Sequence, residues 1–290
     1  RLGVLMYLFY NLLAMFIFGT IGLFVRNAQL PSALLALIRT CIGAMILGLI
    51  LLSRRKKINI NKGEWKYILL SACFLGCNWI FLFESYRYTS ISNATIVYYS
   101  APLMIAFASW FLYHEAFTKQ KVVYLLCSMA GLVAISFQSG SFDIMGIFFG
   151  LLAACGYAGI VLTNRHIHME SLSFTFLQLS LAACIILPYV LWQKEFIQIA
   201  NITMAQLPWI ILLGVLHTGI AYLLYFTSIA KLSSTSVAVC SYLDPCTAII
   251  LSIFILQEPC TPLQIVGIIC IFAGIIGVTK SSKGDETNAL

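Results

Sequence analysis

Apolar residues in this chain run in unbroken blocks rather than in the stripes or alternations of soluble domains. The blocks lie at 4–24, 32–52, 67–86, 92–113, 119–138, 144–163, 172–192, 207–229, 234–256 and 262–279, each bounded by charged or turn residues. One membrane crossing needs ~20 mostly apolar residues, so the pattern predicts ten transmembrane helices. Lipid offers no partner to backbone N–H and C=O groups, and only helices or closed barrels cross it. The blocks lack the alternation of barrel strands, which leaves helices. Most connections are 3–10 residues long, so successive helices are expected to be antiparallel neighbours. The first block is followed by further spans and reads as a helix, not a cleaved signal segment. The chain begins at Arg1 rather than Met, and its start is read as trimmed.

Composition narrows the class. Hydrophobic residues make up 61% and charged residues 9%, whereas a soluble domain is near a quarter charged. An ordinary soluble enzyme, a disordered chain and a nucleic-acid-binding protein are excluded. The net charge of +7 is scattered between apolar blocks, where Lys and Arg set orientation. With the N-terminus in the cytoplasm, the inner segments carry Arg1, Arg54, Arg55, Lys56, Lys57, Lys62, Lys66, Lys119, Lys121, Arg165, Lys231, Lys280 and Lys283. The outer segments carry only Arg26, Arg87 and Lys194, and Arg39 lies within a span. Thirteen against three predicts both termini in the cytoplasm of a cytoplasmic-membrane protein. Arg54–Arg55–Lys56–Lys57 serves as an orientation signal, with anionic-lipid binding a secondary role. Nine of the ten cysteines fall in apolar stretches and read as small hydrophobes. No CxxC pair exists, Cys73 and Cys77 alone are too weak a metal signal, and no cofactor is implied.

The halves of the chain resemble each other. SAPLMIAFASWFLYHEAFT of spans four and five faces LDPCTAIILSIFILQEPCT of nine and ten at an offset of 143. Identical pairs include Pro102/Pro245, Ser109/Ser252, Phe111/Phe254, Glu115/Glu258, Thr118/Thr261 and Cys127/Cys270. In spans one and two the offset is 139: Leu12-Leu13-Ala14 faces Leu151-Leu152-Ala153, Arg26 faces Arg165, and Arg39 faces Gln178. Residues 1–139 and 140–290 thus form two repeats of five spans each. Five is odd, so the second repeat enters from the opposite side. Inverted repeats are a signature of secondary transporters, whose substrate site lies near the midplane between them. The fold class is all-α: ten transmembrane helices in two inverted five-helix repeats, one integral membrane domain with a short cytoplasmic tail.

The segment YRYTSISNATIVYYSAPLMIAFASWFLYHE resembles the signature of EamA-type members of the drug/metabolite transporter superfamily, and SIAKLSSTSVAVCSYLDPCTAIILSIFILQE resembles the same module again. The likeness covers both halves. It implies ten helices in two inverted repeats and movement of small metabolites such as amino acids, and it says little about which one.

Ionisable residues inside a membrane are functional candidates by default. Arg39 lies seven residues into span two, Asp244 is central in span nine just before Pro245, and Ala101 stands at its counterpart position. His217 is central in span eight, and Glu84 is near the outer end of span three beside Arg87. An unpaired charge at mid-bilayer costs at least ~2.5–3.5 kcal/mol. Each must therefore pair internally, face water, bind a proton or meet substrate. Arg39–Asp244 or Arg39–Glu84 pairs are the structural alternatives, and Glu84 could instead reach the interface with Arg87. Asp244 and His217 are the proton-carrying candidates, with a hydrogen-bonded packing role the alternative for His217. Trp79, Tyr98, Tyr99, Tyr157, Tyr222, Tyr225, Asn11 and Asn78 lie near span centres and could line a pocket, together with Gln178, or pack the core. His217 falls roughly opposite Tyr222 and Tyr225 on an ideal helix, so all three share a cavity only if that helix bends. Pro102 and Pro245 predict paired kinks or hinges. Glu115 and Glu258 read as terminus residues, because Thr118 and Thr261–Pro262 look like helix starts. Gly146-x-x-x-Gly150 and Gly19-x-x-Gly22 predict close helix approach.

These features predict a secondary transporter working by alternating access on a small polar metabolite. An amino acid or related zwitterion, exported and proton-coupled, fits best. Organic cations are the alternative within that class, and a channel or structural membrane subunit is the alternative outside it. The expected partners are a small-molecule substrate and the bilayer, not nucleic acid, and the chain is expected as a monomer or homodimer. HExxH, a nucleophile elbow and a Gly-rich phosphate loop are missing, so no enzyme is expected.

Overall fold

A computed structural model describes residues 2–56, 58–61, 63–89, 91–114, 118–136, 143–255, 257 and 261–288. Helices run over α1 Gly3–Ala28, α2 Ser32–Ser53, α3 Trp65–Tyr88, α4 Asn93–Tyr113, α5 Lys119–Ser136, α6 Ile144–Asn164, α7 Ser171–Trp192, α8 Leu207–Ile229, α9 Ser234–Ile255 and α10 Pro262–Asn288. All but α5 and α10 are long and apolar enough to cross a membrane, and α10 contains a shorter apolar stretch, Pro262–Gly277. No strand occurs among the described residues. The chain is an all-helical polytopic membrane protein. Large side chains such as Phe9, Leu52, Phe111 and Phe254 stay exposed on the outside, where lipid tails are as apolar a neighbour as another helix.

Local chemistry sets the ends. Asp143 accepts the Met145 N–H at 2.7 Å at the start of α6, and Ser233 accepts from Ser236 N at 3.2 Å before α9. Thr118 caps α5 through Lys121 N at 3.3 Å. Thr261 and Gln264 cap α10 reciprocally, through Gln264 N to Thr261 Oγ1 and Thr261 N to Gln264 Oε1. Glu115 and Glu258 lie outside the described residues.

Helices pack across the two halves. α3 lies along α6, α1 along α8, α2 along α7, α4 beside α9, and α5 along α10. Apolar attraction cannot drive this in lipid, so small residues and polar bridges do it. Asn78 donates to Ala153 O at 2.7 Å and Ser85 to Gly146 O at 2.7 Å, joining α3 to α6. Asn11 donates to Ser228 Oγ at 2.9 Å, joining α1 to α8. Gln178 of α7 donates to Ser71 Oγ at 2.6 Å, and Ser71 donates to Asn164 Oδ1 at 2.5 Å. A Cβ on Gly131 of α5 would stand 2.6 Å from Gly267 O of α10.

Two helices break in the same place. α4 has a turn at Tyr99–Ser100 before the segment Ala101–Tyr113, with Pro102 in its first turn. α9 has a turn at Ser241–Tyr242 before Leu243–Ile255, with Pro245 early in that segment. Proline removes a backbone N–H and clashes with the preceding turn, which accounts for both breaks. α8 bends by another route: Leu213–Ile220 is a π-helical stretch. There Thr218 Oγ1 donates to Leu213 O at 3.0 Å, five residues back. Gly43 of α2 lets this wider turn approach, because a Cβ there would lie 3.1 Å from Gly219 N.

The two glycines of Gly19-x-x-Gly22 differ. A Cβ on Gly19 would lie 2.5 Å from both Asp244 O and Thr247 Cβ of α9, whereas at Gly22 nothing lies within 4 Å. Gly19→Ala is expected to cost about 1–3 kcal/mol by overpacking. Gly22→Ala should leave stability unchanged or slightly raised, through helix propensity. Unfolding midpoints of the purified variants in detergent check this; equal effects would contradict it.

Candidate functional site

The breaks in α4 and α9 meet at the centre of the bundle. Tyr99 and Tyr242, the residues at the two turns, lie 143 positions apart, the offset between the halves. Their rings are 6.1 Å apart. Tyr242 donates through its hydroxyl to Tyr99 O at 3.2 Å. Tyr99 donates through its hydroxyl to Asp244 Oδ2 at 2.5 Å. Each break is thus served by the tyrosine of the other, and the carboxylate is fixed by the exchange.

From Asp244 an aromatic wall leads across the bundle. Tyr98 packs edge-on to Tyr99 at 5.2 Å and stacks on Tyr157 at 5.8 Å. Tyr225 donates to the Tyr157 hydroxyl at 3.1 Å. Phe18 of α1 touches both Tyr222, at 5.0 Å, and Tyr225, at 6.2 Å. Trp79 meets Tyr222 edge-on at 5.7 Å, and the Arg39 guanidinium lies over the Trp79 ring at 4.6 Å. Tyr98 and Tyr222 both stand within electrostatic reach of Arg39 and of Asp244. The site therefore has a cation at one end, a carboxylate at the other and tyrosines between.

Arg39 has no carboxylate within ion-pair distance among the described residues. Contact with an indole contributes ~0.5–2 kcal/mol, less than the ~2.5–3.5 kcal/mol cost of a mid-membrane guanidinium on the insertion scale. The cation is left with capacity for an anion. Glu84 is engaged elsewhere: Arg87 donates to its Oε1 at 3.0 Å, and Tyr189 and Gln193 donate to the same oxygen.

The other sequence candidates sit around this axis. Asn11 and Gln178 are fully buried in helix–helix bridges, α1–α8 and α7–α3. His217 is also fully buried. Its Nε2 lies 2.8 Å from Thr20 Oγ1, at the turn in α1, and its ring packs on Phe24 at 4.5 Å. The π stretch re-phases α8, so that His217 as well as Tyr222 falls within reach of Arg39. Phe18 and Tyr242 are wall residues that the sequence reading did not select. Tyr242 was open to detection as the counterpart of Tyr99; nothing distinguished Phe18 from other apolar residues of α1.

An opening lies at the face opposite the basic segments. It is a cavity of about 400 Å³ where the start of α2 meets the ends of α3 and α7. Tyr86, Arg87, Tyr189 and Glu195 are among its lining. Glu195 follows α7 and accepts the Leu34 N–H at 2.9 Å. Burial holds its carboxyl above the usual carboxylate range, while the Leu34 bond and the Arg87 guanidinium pull it down. At the basic face, Lys56 pairs with Glu170, and His168 N and Asn61 both donate to Glu64 Oε1 at 3.2 Å. Tyr113 there packs tilted against His166 and under Arg165.

Comparison with known proteins places this arrangement. The EamA-like transporter family matches residues 5–137 and, a second time, residues 144–280. The chain is 32% identical to the uncharacterized transporter YxxF of Bacillus subtilis (strain 168), over 91% of this chain and 86% of that protein. It is 26% identical to protein PecM of Dickeya dadantii (strain 3937), over 75% of this chain and 74% of that one. A solved crystal structure superposes with a TM-score of 0.78 over 96% of this chain and 98% of its own, at 16% identity. At that identity the likeness concerns the fold alone.

The two crossed hydrogen bonds differ in kind. Tyr99→Phe removes a bond to a charged group, ~1.5–3 kcal/mol, and Tyr242→Phe a neutral one, ~0.5–1.5 kcal/mol. Tyr99→Phe is expected to lower the unfolding midpoint more. The reverse order at neutral pH would contradict this geometry.

Proposed function

The chain belongs to the EamA-like transporter family, and from that premise we propose that it is a secondary carrier of a small zwitterion, an amino acid or close relative. Arg39 takes the solute carboxylate, Asp244 takes its ammonium group or a proton, and the tyrosines hold the remainder. The observation that carries this reading is Arg39: a cation inside the bundle, over Trp79, with no carboxylate paired to it among the described residues.

Alternating access follows from inverted five-helix repeats, residues 1–139 and 140–290, forming ten spans. Three observations support that arrangement. The family matches twice, once per half. The helix pairings α3–α6 and α1–α8 exchange under the repeat, while α2–α7, α4–α9 and α5–α10 map onto themselves. The two faces also differ at equivalent corners. At one lies the cavity beside Ala33 and Phe83; at the other, Phe174 packs on Phe226 at 5.4 Å and Lys56 pairs with Glu170. One side open and the other packed is one state of a rocking carrier. From the excess of basic residues we read the packed face and both termini as cytoplasmic, in the cytoplasmic membrane. We take transport as export, coupled to protons through Asp244, by a monomer or homodimer.

An organic cation held by Asp244 and the tyrosines is the second reading. Arg39, without a carboxylate partner among the described residues, disfavours it, since two cations would then share one site.

Purified protein in liposomes is expected to show saturable uptake of amino acids and counterflow, which a channel does not give. Asp244→Asn should abolish movement or its pH dependence. Normal, pH-dependent flux in that variant would remove Asp244 from the mechanism.

A further inference from the structure

The cavity at the face opposite the basic segments carries charge that the central site does not use. Two carboxylates, Glu84 and Glu195, face one guanidinium, Arg87. Glu84 is saturated on Oε1 by Arg87, Tyr189 and Gln193, and Arg87 is paired with it. Glu195 accepts one hydrogen bond among the described residues, from Leu34 N to Oε2, which leaves Oε1 without a donor. Arg87 is engaged by Glu84, which lies behind the lining, so Glu195 is a half-buried carboxylate of the lining with no ion-pair partner among the described residues, near the rings of Phe83, Tyr86 and Tyr189. A carboxylate edged by aromatic faces is the chemistry that holds an ammonium group. The volume of about 400 Å³ lies within the range of small-ligand pockets.

The cavity also lies on a route to the centre. Along α2, Ala33 in its wall is six residues from Arg39, ~9 Å of helix rise. Along α3, Phe83 is one turn from Trp79. Tyr86 lines the cavity and stands within electrostatic reach of Asp244. A solute passing between this face and Asp244 meets Glu195 on the way.

We propose that this cavity is a second, peripheral solute site that holds a protonated amine on Glu195 Oε1 against the surrounding aromatic rings. It deepens the carrier reading, on which the choice of an amine-bearing solute rests. In this role Glu195 exchanges the ammonium group with Asp244, and Arg87, whose side chain is 58% exposed, presents its remaining N–H groups to the solute carboxylate.

The test is titration calorimetry on the purified, detergent-solubilised full chain with benzylammonium, which has no carboxylate for Arg39. It uses the Asp244→Asn background, in which the central carboxylate is gone. One binding event is expected to remain. Adding Glu195→Gln should weaken it at least ~tenfold, about 1.4 kcal/mol, while Gln still accepts the Leu34 N–H and keeps the local fold. Ser32→Trp, which fills the cavity from α2, should block binding independently. No benzylammonium binding in Asp244→Asn, or equal binding after Glu195→Gln and Ser32→Trp, would overturn the proposal. A wild-type protein that binds at this cavity but moves no solute in liposomes would instead refute the carrier reading and leave the cavity site standing.

Discussion

Two broken helices crossing at the centre of a bilayer create unmet backbone groups where water is scarce. In this protein the tyrosine at each break bonds a polar group at the other, a backbone carbonyl in one case and a side-chain carboxylate in the other. Tyr242 donates to the carbonyl at the α4 turn, and Tyr99 donates to the carboxylate at the α9 turn. Lipid would otherwise charge several kcal/mol for each unsatisfied group. The crossing therefore requires α4 and α9 to stay together. Their contact fixes where Asp244 stands, and Asp244 in turn fixes one end of the aromatic wall. Gly19 serves the same point from α1, since any side chain there would strike the backbone at Asp244.

Arg39 marks the other end, and the contrast between the two charges defines the site. Asp244 already has a strong donor, so it needs little from a solute. Arg39 lies over the Trp79 face and has no carboxylate partner among the described residues, so an arriving carboxylate brings it more. In the proposed reading a zwitterion engages both ends of the site, with Tyr98 and Tyr222 within electrostatic reach of each charge. The same logic separates Glu84 from the site: three donors on one oxygen leave it a bracket between α3 and α7.

Much of this was legible in the sequence, because lipid makes few demands and makes them strictly. Apolar blocks mark helix ends within a few residues: 32–52 becomes Ser32–Ser53, and 172–192 becomes Ser171–Trp192. Thr261 followed by Pro262 announced a cap, and Pro102 and Pro245 announced the breaks. The offset of 143 that pairs those prolines also pairs Tyr99 with Tyr242. What stayed hidden depends on neighbours. The π stretch in α8 has no sequence mark of its own; it needs Thr218 to reach five residues back and Gly43 on α2 to make room. Asn11 and Gln178 look like pocket polars in a list of residues, yet their helix faces turn them into bridges between helices. Arg87, three residues on in α3, was one partner of Glu84 that spacing offered; Tyr189 and Gln193 join it only after α3 and α7 pack.

The central claim is that Arg39 is the free cation of a binding site rather than a structural charge. It is tested most directly by comparing solute binding to the wild type and to Arg39→Gln, using a panel of L-amino acids and the amines that match them without the carboxylate. The account predicts that the variant loses at least ~tenfold in affinity for the amino acids that bind and keeps its affinity for the amines. Equal affinity of both proteins for the amino acids would contradict it.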